Sequence, residues 1–200
     1  MELIVATRNA HKTREIEQIF GSRWAVRDLT AHPEISEIAE GGTSFEENAK
    51  LKAIAVSREL PGLVIADDSG LEVDALGGAP GVCSARYAGV NASNTERIAK
   101  LLRRLANVDP KGDRRRARFR CVLAVARDGQ VLATFEGVVD GKIAEWPRGS
   151  RGFGYDPIFI LDGFEETFAE LPEQVKNNIS HRAEAVRKME AELPTLCGEA

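Results

Sequence analysis

Two apolar segments near the middle of the chain, Phe119 to Ala126 and Val131 to Val139, are joined through Asp128-Gly129 and read as the strands of a hairpin. No other feature constrains the fold as much, because a purely parallel, doubly wound sheet has no place for a central hairpin. Helical patterns lie on either side. Ile16, Ile19 and Phe20 recur at i, i+3 and i+4 after a short buried strand, Leu3 to Ala6. A second helix begins at Ser44, where Ser44-Phe45-Glu46-Glu47 has the form of a capping box, and Pro61-Gly62 stops it after Leu60. Asn94 to Leu105 carries Ile98, Leu101, Leu102 and Leu105 on one stripe, and Ser180 to Leu193 places Val186, Met189 and Leu193 at helical spacing. Leu63 to Ala66 and Ile158 to Leu161 are two further short strands, and the Gly-, Ala- and Pro-rich stretch Leu76 to Gly89 reads as an ordered loop. Helices towards both ends with hairpin strands between them predict an α/β fold with a central mixed sheet.

A chain of 200 residues fits one domain spanning 1–200, or two closely joined lobes, and buries a sizeable core without disulfides or a structural metal. The formal net charge of −4 gives no bulk attraction for nucleic acid or an anionic membrane, so an anionic substrate needs a local cationic pocket. Cys83, Cys121 and Cys197 are widely spaced and odd in number, which argues against a zinc site or a disulfide framework. Leu3-Ile4-Val5-Ala6 follows Met1 without a basic segment and a longer apolar run, and no apolar stretch approaches the ~20 residues of a membrane span. The expected location is the cytoplasm.

Four segments carry residue types suited to phosphate chemistry. Thr7-Arg8-Asn9-Ala10-His11-Lys12 lies between a strand and a helix, where backbone N–H groups and the helix dipole attract anions and Lys12 adds a point charge. It lacks the P-loop pattern, and a polar turn capped by Asn9 is the plainer reading. On the second helix, Phe45, Ala49, Ala53, Val56 and Leu60 share one face, with Asn48 and Lys52 on or beside it, whereas Glu46 and Lys50 point away. A lysine in that position needs a ligand phosphate or a structural carboxylate, unless it snorkels past the rim of the core. Asp67-Asp68 follows the apolar run Leu63 to Ala66 and is expected at the carboxyl end of that strand, where open α/β sheets place ligands. Adjacent carboxylates repel, so a metal ion or a cationic group commonly partners one of them. Oxygen ligands with few histidines suit Mg²⁺, with a second carboxylate from Glu40 or Glu37, and a self-bonded Asp-Asp-Ser-Gly turn is the alternative. Late in the chain, Gly152-Phe153-Gly154-Tyr155-Asp156-Pro157 sets aromatic rings between glycines, and Lys176 with Ser180-His181-Arg182 supplies donors for a phosphate or a base edge. A tight turn and a capped C-terminal helix would produce the same patterns. The basic run Arg114 to Arg120 alternates with Ala117, Phe119 and Cys121, as on a half-exposed strand or a dimer rim rather than a nucleic-acid surface.

Taken in order, Ala6-Thr7-Arg8-Asn9 through Lys12, Ser44 to Ala49, Ala66-Asp67-Asp68-Ser69-Gly70-Leu71, Leu76 to Gly81, Ser84 to Gly89, Gly152 to Pro157 and Ser180-His181-Arg182 resemble the inosine triphosphate pyrophosphatase family. The resemblance spans nearly the whole chain. It implies an elongated two-lobed fold with a groove between lobes, a homodimer, and Mg²⁺-dependent attack of water on the α-phosphate of non-standard purine nucleoside triphosphates such as ITP, dITP and XTP. It further implies that Asp68, with Asp67 beside it, activates water, and that Asp68 and Glu40 bind the metal. Thr7, Asn9, Lys12 and Lys52, in the segment that also holds Arg8, Ala10 and His11, would hold the triphosphate. Ser69, Phe153, Gly154, Tyr155, Asp156, Lys176, His181 and Arg182 would surround sugar and base. The chain departs from the family pattern at Arg8, where a small residue is frequent, and at Ser150-Arg151, where glycines are. The rival readings are a Maf-type pyrophosphatase of pyrimidine or modified nucleotides, and a non-catalytic nucleotide- or RNA-binding module.

Overall fold

The structure, a computed structural model, describes residues 2–109, 111 and 114–198. Its strands are β1 (Glu2–Val5), β2 (Ala25–Asp28), β3 (Leu63–Val73), β4 (Arg116–Arg127), β5 (Gln130–Ile143) and β6 (Phe159–Leu161). They form one six-stranded sheet in the order β2-β1-β3-β4-β5-β6. The helices are α1 (Ala10–Phe20), α2 (Phe45–Glu59), α3 (Asn94–Val108), α4 (Glu173–Ile179) and α5 (His181–Cys197), with short 3-10 turns between them. β1 runs parallel to both β2 and β3, while β5 and β6 are antiparallel. The sheet is therefore mixed, as the central hairpin demands. The two residues between β4 and β5, Asp128 and Gly129, both have positive φ (52° and 75°). That is the turn whose twist matches the flanking strands, and it explains why Asp-Gly stands there.

The chain divides into two compact units. The first comprises Met1–Asp68, Cys121–Gly137 and His181–Ala200, and the second Ser69–Arg120 and Val138–Ser180. In the first, Leu3 and Val5 of β1, Ile65 of β3, Ile16 and Phe20 of α1, Leu123 of β4 and Val186 and Met189 of α5 form one core. These are the apolar stripes that the spacing predicts. In the second, Leu71, Leu101 and Leu105 pack with Phe119, Phe159 and Phe168, and the Phe119 and Phe159 rings meet edge to face at 4.7 Å. Arg116, Arg118 and Arg120 alternate outward along β4 and lie beside Asp162, Asp74 and Glu72 respectively, so this basic stripe is matched by carboxylates. Among the described residues no helix is long and apolar enough to cross a membrane.

Three elements differ from the sequence reading. β3 does not end at Ala66 but continues to Val73, with Leu71 and Val73 fully buried on the far side of a polar stretch that mimics a turn. β2 shows no apolar alternation because it lies at the edge of the sheet, with every residue at least partly exposed. α4, at seven residues, is too short to show a helical period. The cap of α2 is also only half a capping box. Ser44 accepts from Glu47 N, but the Glu47 carboxylate turns to Thr43 N and Oγ1 instead of the Ser44 amide.

Within the first unit, α5 begins directly against β5 at Gly137. A Cβ at that residue would lie 2.0 Å from the His181 carbonyl oxygen and 2.6 Å from Ala185 N, so no side chain fits without moving the first turn of the helix. Gly137→Ala is expected to lower stability by about 1–3 kcal/mol through this overpacking, measurable by urea unfolding. Because Arg182 sits on that turn, activity should fall further than stability alone accounts for.

Candidate active site

β1 ends at Val5, and the parallel pairing with β3 covers only Leu63 to Ile65, extended by the hydrogen bond from Ala6 N to the Ile65 carbonyl at 2.7 Å. Past that point the β1-facing edge of β3 takes side-chain donors instead of a strand. The Asp67 carbonyl accepts from Lys52 Nζ at 2.8 Å and from Lys12 Nζ at 3.3 Å. The carboxyl-end position expected of the site is thus supplied by β1, not by β3, where the acidic pair lies mid-strand.

Consecutive residues of a strand face opposite sides of the sheet, and the two aspartates use this. Asp67 shares the face of Leu63 and Ile65, towards α1 and α5. Its Oδ1 takes Lys12 Nζ at 2.5 Å, and its Oδ2 takes Arg182 Nε at 2.8 Å and the Cys121 thiol at 3.2 Å. Asp68 faces α2. Its Oδ1 lies 3.1 Å from Lys52 Nζ, and its Oδ2 accepts from Asn48 Nδ2 at 3.2 Å. Asn48 is held in turn, because its Oδ1 accepts from Gly42 N at 2.8 Å. Lys52 Nζ also meets Glu40 Oε1 at 2.8 Å. The α2 face with Asn48 and Lys52 beside its apolar stripe is therefore present, and the buried lysine meets carboxylates. Glu40 rather than the exposed Glu37 joins the cluster.

The electrostatics separate the two acids. The Asp67 side chain is fully buried, which alone would raise its pKa, but Arg182 and then Lys12 outweigh burial and hold the carboxyl well below the usual range. For Asp68, burial prevails over the opposing Lys52 and Lys12, Glu40 adds to it, and the carboxyl titrates above the ordinary value. Burial works against the charge on Lys52, yet Asp68 and Glu40 overcome it and raise its pKa. Burial, reinforced by Asp67, pushes the Cys121 thiol well up, so it serves as a neutral donor. Glu40 and Asp68 share one ammonium and are hard oxygen donors. Two such oxygen donors could hold a small divalent cation, with water and substrate oxygens supplying the rest of its shell.

The segment after β1 is ordered by its own bonds. Thr7 Oγ1 accepts from Asn9 N at 3.1 Å, and Asn9 Oδ1 caps α1 by accepting from His11 N at 3.0 Å. Ala10 and His11 are exposed at the helix start, and Arg8 donates to the backbone carbonyls of His32 and Ile35. Arg182 is buried to 1% exposure, with Glu15 of α1 on Nη1 and Asp67 on Nε, and His181 is buried beside it in sequence. Glu15 and Cys121 escape the sequence reading because each is a lone residue on an apolar stripe.

The second unit holds a separate polar group. Asp156 Oδ2 accepts from Lys176 Nζ at 2.6 Å and from Phe153 N at 2.8 Å, both acid and lysine being buried. The Lys176 ammonium stands 5.1 Å from the centre of the Phe153 ring. Tyr155 donates its hydroxyl to the Ser84 carbonyl at 3.0 Å, Gly154 is half-buried with positive φ, and Ser69 is half-buried.

Removing Asp67 would leave Arg182 and Lys12 without their shared carboxylate in a buried setting. Asp67→Ala is therefore expected to cost about 3–5 kcal/mol, read from denaturant midpoints.

Comparison with known proteins places the chain among close relatives. The sequence profile of the Ham1 family matches residues 3–192. A dITP/XTP pyrophosphatase of Geobacillus kaustophilus is 50% identical over 198 residues, 98% of this chain and 96% of the relative. That of Bacillus subtilis is 49% identical over 189 residues, 94% of each. Among solved structures, a HAM1 protein from Coxiella burnetii superimposes with a TM-score of 0.86 at 39% identity, covering 98% of this chain and 99% of the other. The Ham1 protein of Staphylococcus aureus gives 0.84 at 40% identity, covering 98% and 100%.

Proposed function

The chain belongs to the Ham1 family, and on that premise we propose that it hydrolyses non-standard purine nucleoside triphosphates (ITP, dITP, XTP) to the monophosphate and pyrophosphate. The observation that carries this reading is the convergence of Lys12 and Lys52 on the Asp67 carbonyl, with Asp68 and Glu40 around the same lysine. Carboxylates and lysines gathered at one point suit a polyphosphate tail held together with a divalent cation. Residues 1–200 are read as one nucleotide pyrophosphatase domain, working as a cytoplasmic homodimer.

Glu40 and Asp68 are assigned to hold Mg²⁺, which when bound supplies positive charge against the phosphate oxygens. Lys12 and Lys52 grip the triphosphate, with Thr7, Asn9 and the exposed start of α1 beside them; Arg8 is committed to backbone carbonyls and contributes less. Asp68 accepts the proton of the attacking water. The new bond joins water oxygen to the α-phosphorus, the bridging bond between the α-phosphorus and the leaving oxygen breaks, and pyrophosphate departs. Asn48 and Lys52 fix the two Asp68 oxygens, so the base is oriented before substrate arrives. Asp67 keeps its charge for Lys12 and Arg182 and is not the base.

Phe153 is assigned to stack on the base and Lys176, aimed by Asp156, to donate to its 6-oxo group, with Gly154 and Tyr155 next in sequence to Phe153 and Ser69 also assigned to sugar and base. His181 is also assigned to sugar and base, and Arg182, buried and committed to Asp67 and Glu15, contributes less there. Such donors are left unsatisfied facing the 6-amino group of adenine, which is costly when buried.

Incubation with ITP and Mg²⁺ is expected to yield IMP and pyrophosphate, with XTP also cleaved and dUTP or modified pyrimidine triphosphates poor substrates. IDP plus phosphate would exclude the reaction, and preference for pyrimidines would favour a Maf-type enzyme. Asp68→Asn should lower kcat by about 10²–10⁴-fold while unfolding at nearly the wild-type midpoint. An active Asp68→Asn protein would show that the base is elsewhere.

A further inference from the structure

Glu15 has no part in the chemistry above, yet it is a carboxylate at 6% exposure on the helix that carries Lys12. The two residues are three apart on α1 and so lie side by side on its surface. Lys12 reaches Asp67 Oδ1, and Glu15 Oε2 takes Arg182 Nη1, while Arg182 Nε holds Asp67 Oδ2. Lysine, aspartate, arginine and glutamate thus alternate in charge around a ring that α1 closes.

We propose that Glu15 is a positioning residue for the phosphate-binding lysine, acting through Arg182 and Asp67. The argument turns on competition for one carboxylate. A guanidinium prefers to grip a carboxylate with two parallel N–H groups. If Arg182 did so at Asp67, it would occupy Oδ1, the oxygen that aims Lys12. Glu15 engages Nη1 and so keeps the Nη1/Nη2 end of the guanidinium from turning onto Asp67, which Arg182 meets at Oδ2 through Nε while Lys12 takes Oδ1. The Cys121 thiol donates to the same Oδ2 and fixes the carboxylate rotation. Loss of the Glu15 charge lets Arg182 swing onto both Asp67 oxygens and displaces the lysine from its aim.

The inference rests on the reading in which Lys12 holds the polyphosphate, so the experiment tests both. Binding of inorganic tripolyphosphate with Mg²⁺ is measured by calorimetry on the full chain and on Glu15→Gln, Glu15→Asp and Lys12→Ala, alongside steady-state hydrolysis of ITP. Lys12→Ala is expected to weaken tripolyphosphate binding by about tenfold or more. Glu15→Gln should weaken it by about five- to tenfold and raise KM for ITP similarly with kcat within about threefold, because Lys12 grips the tail in ground and transition state alike. Glu15→Asp, whose carboxylate is drawn back by one methylene, should fall between Glu15→Gln and the wild type. Wild-type binding by Glu15→Gln beside a weakened Lys12→Ala overturns the inference alone, as does a loss confined to kcat. Unchanged binding by Lys12→Ala overturns the phosphate role of Lys12, and the inference with it. If Glu15→Gln does not fold, Glu15→Asp decides: a loss of about twofold or more supports the proposal, and wild-type binding overturns it.

Discussion

The buried carboxylate of Asp67 is the interaction on which the first unit is organised. A charge taken out of water costs several kcal/mol unless paired and hydrogen-bonded on all sides, and the chain meets that demand from three separate stretches. Lys12 comes from α1, Cys121 from β4 and Arg182 from α5. None of these is near Asp67 in sequence, so the aspartate is satisfied only when the helices and strands are in register. The ion cluster therefore specifies how these elements meet, while the apolar faces of Ile16, Leu123, Val186 and Met189 supply most of the driving force. A buried charge network stabilises little in net terms, but it makes alternative packings costly.

The same strand gives two neighbouring acids different properties. The sheet's alternation turns Asp67 towards two cations and Asp68 towards Lys52 and Asn48, beneath Glu40. One acid is held ionised by its partners; the other is raised by burial and by a second carboxylate. An Asp-Asp pair in a turn could not be sorted this way, because both side chains would share one solvated environment. Extension of β3 through the pair to Val73 is thus what differentiates them.

Much of this was legible in the residues. The helical stripe on α2 locates Lys52 beside an apolar face, and Asp128-Gly129 announces the hairpin, because helical period and turn chemistry are local properties. The course of β3 was not. Asp67-Asp68-Ser69-Gly70 carries turn-forming residues, and only the cations packed against it make a polar mid-strand segment tolerable. Whether Glu37 or Glu40 supplies the second carboxylate beside Asp68 was undecidable, since loop residues before a helix have no period to read; in the structure Glu40 meets the same lysine as Asp68. Glu15 was hidden for the opposite reason. A glutamate on a helix is ordinary until Arg182, 167 residues away, is found against it. Close pairing of distant charges leaves no signal in spacing.

The charge count of the assembled cluster bears on how a nucleotide would enter it. Lys12, Lys52 and Arg182 face Glu15, Glu40, Asp67 and Asp68, so the carboxylates are in excess by one. A polyphosphate approaching these side chains alone meets no net attraction, and the chain's overall charge of −4 offers none at longer range. Added positive charge would favour binding at this point, and the oxygens of Glu40 and Asp68 are of the kind that recruits it. In the proposed reaction a divalent cation would offset this excess of carboxylate. Lys52, kept charged by Asp68 and Glu40, and Lys12, aimed by Asp67, are oriented without a nucleotide present, so their orientation does not have to be assembled when one binds.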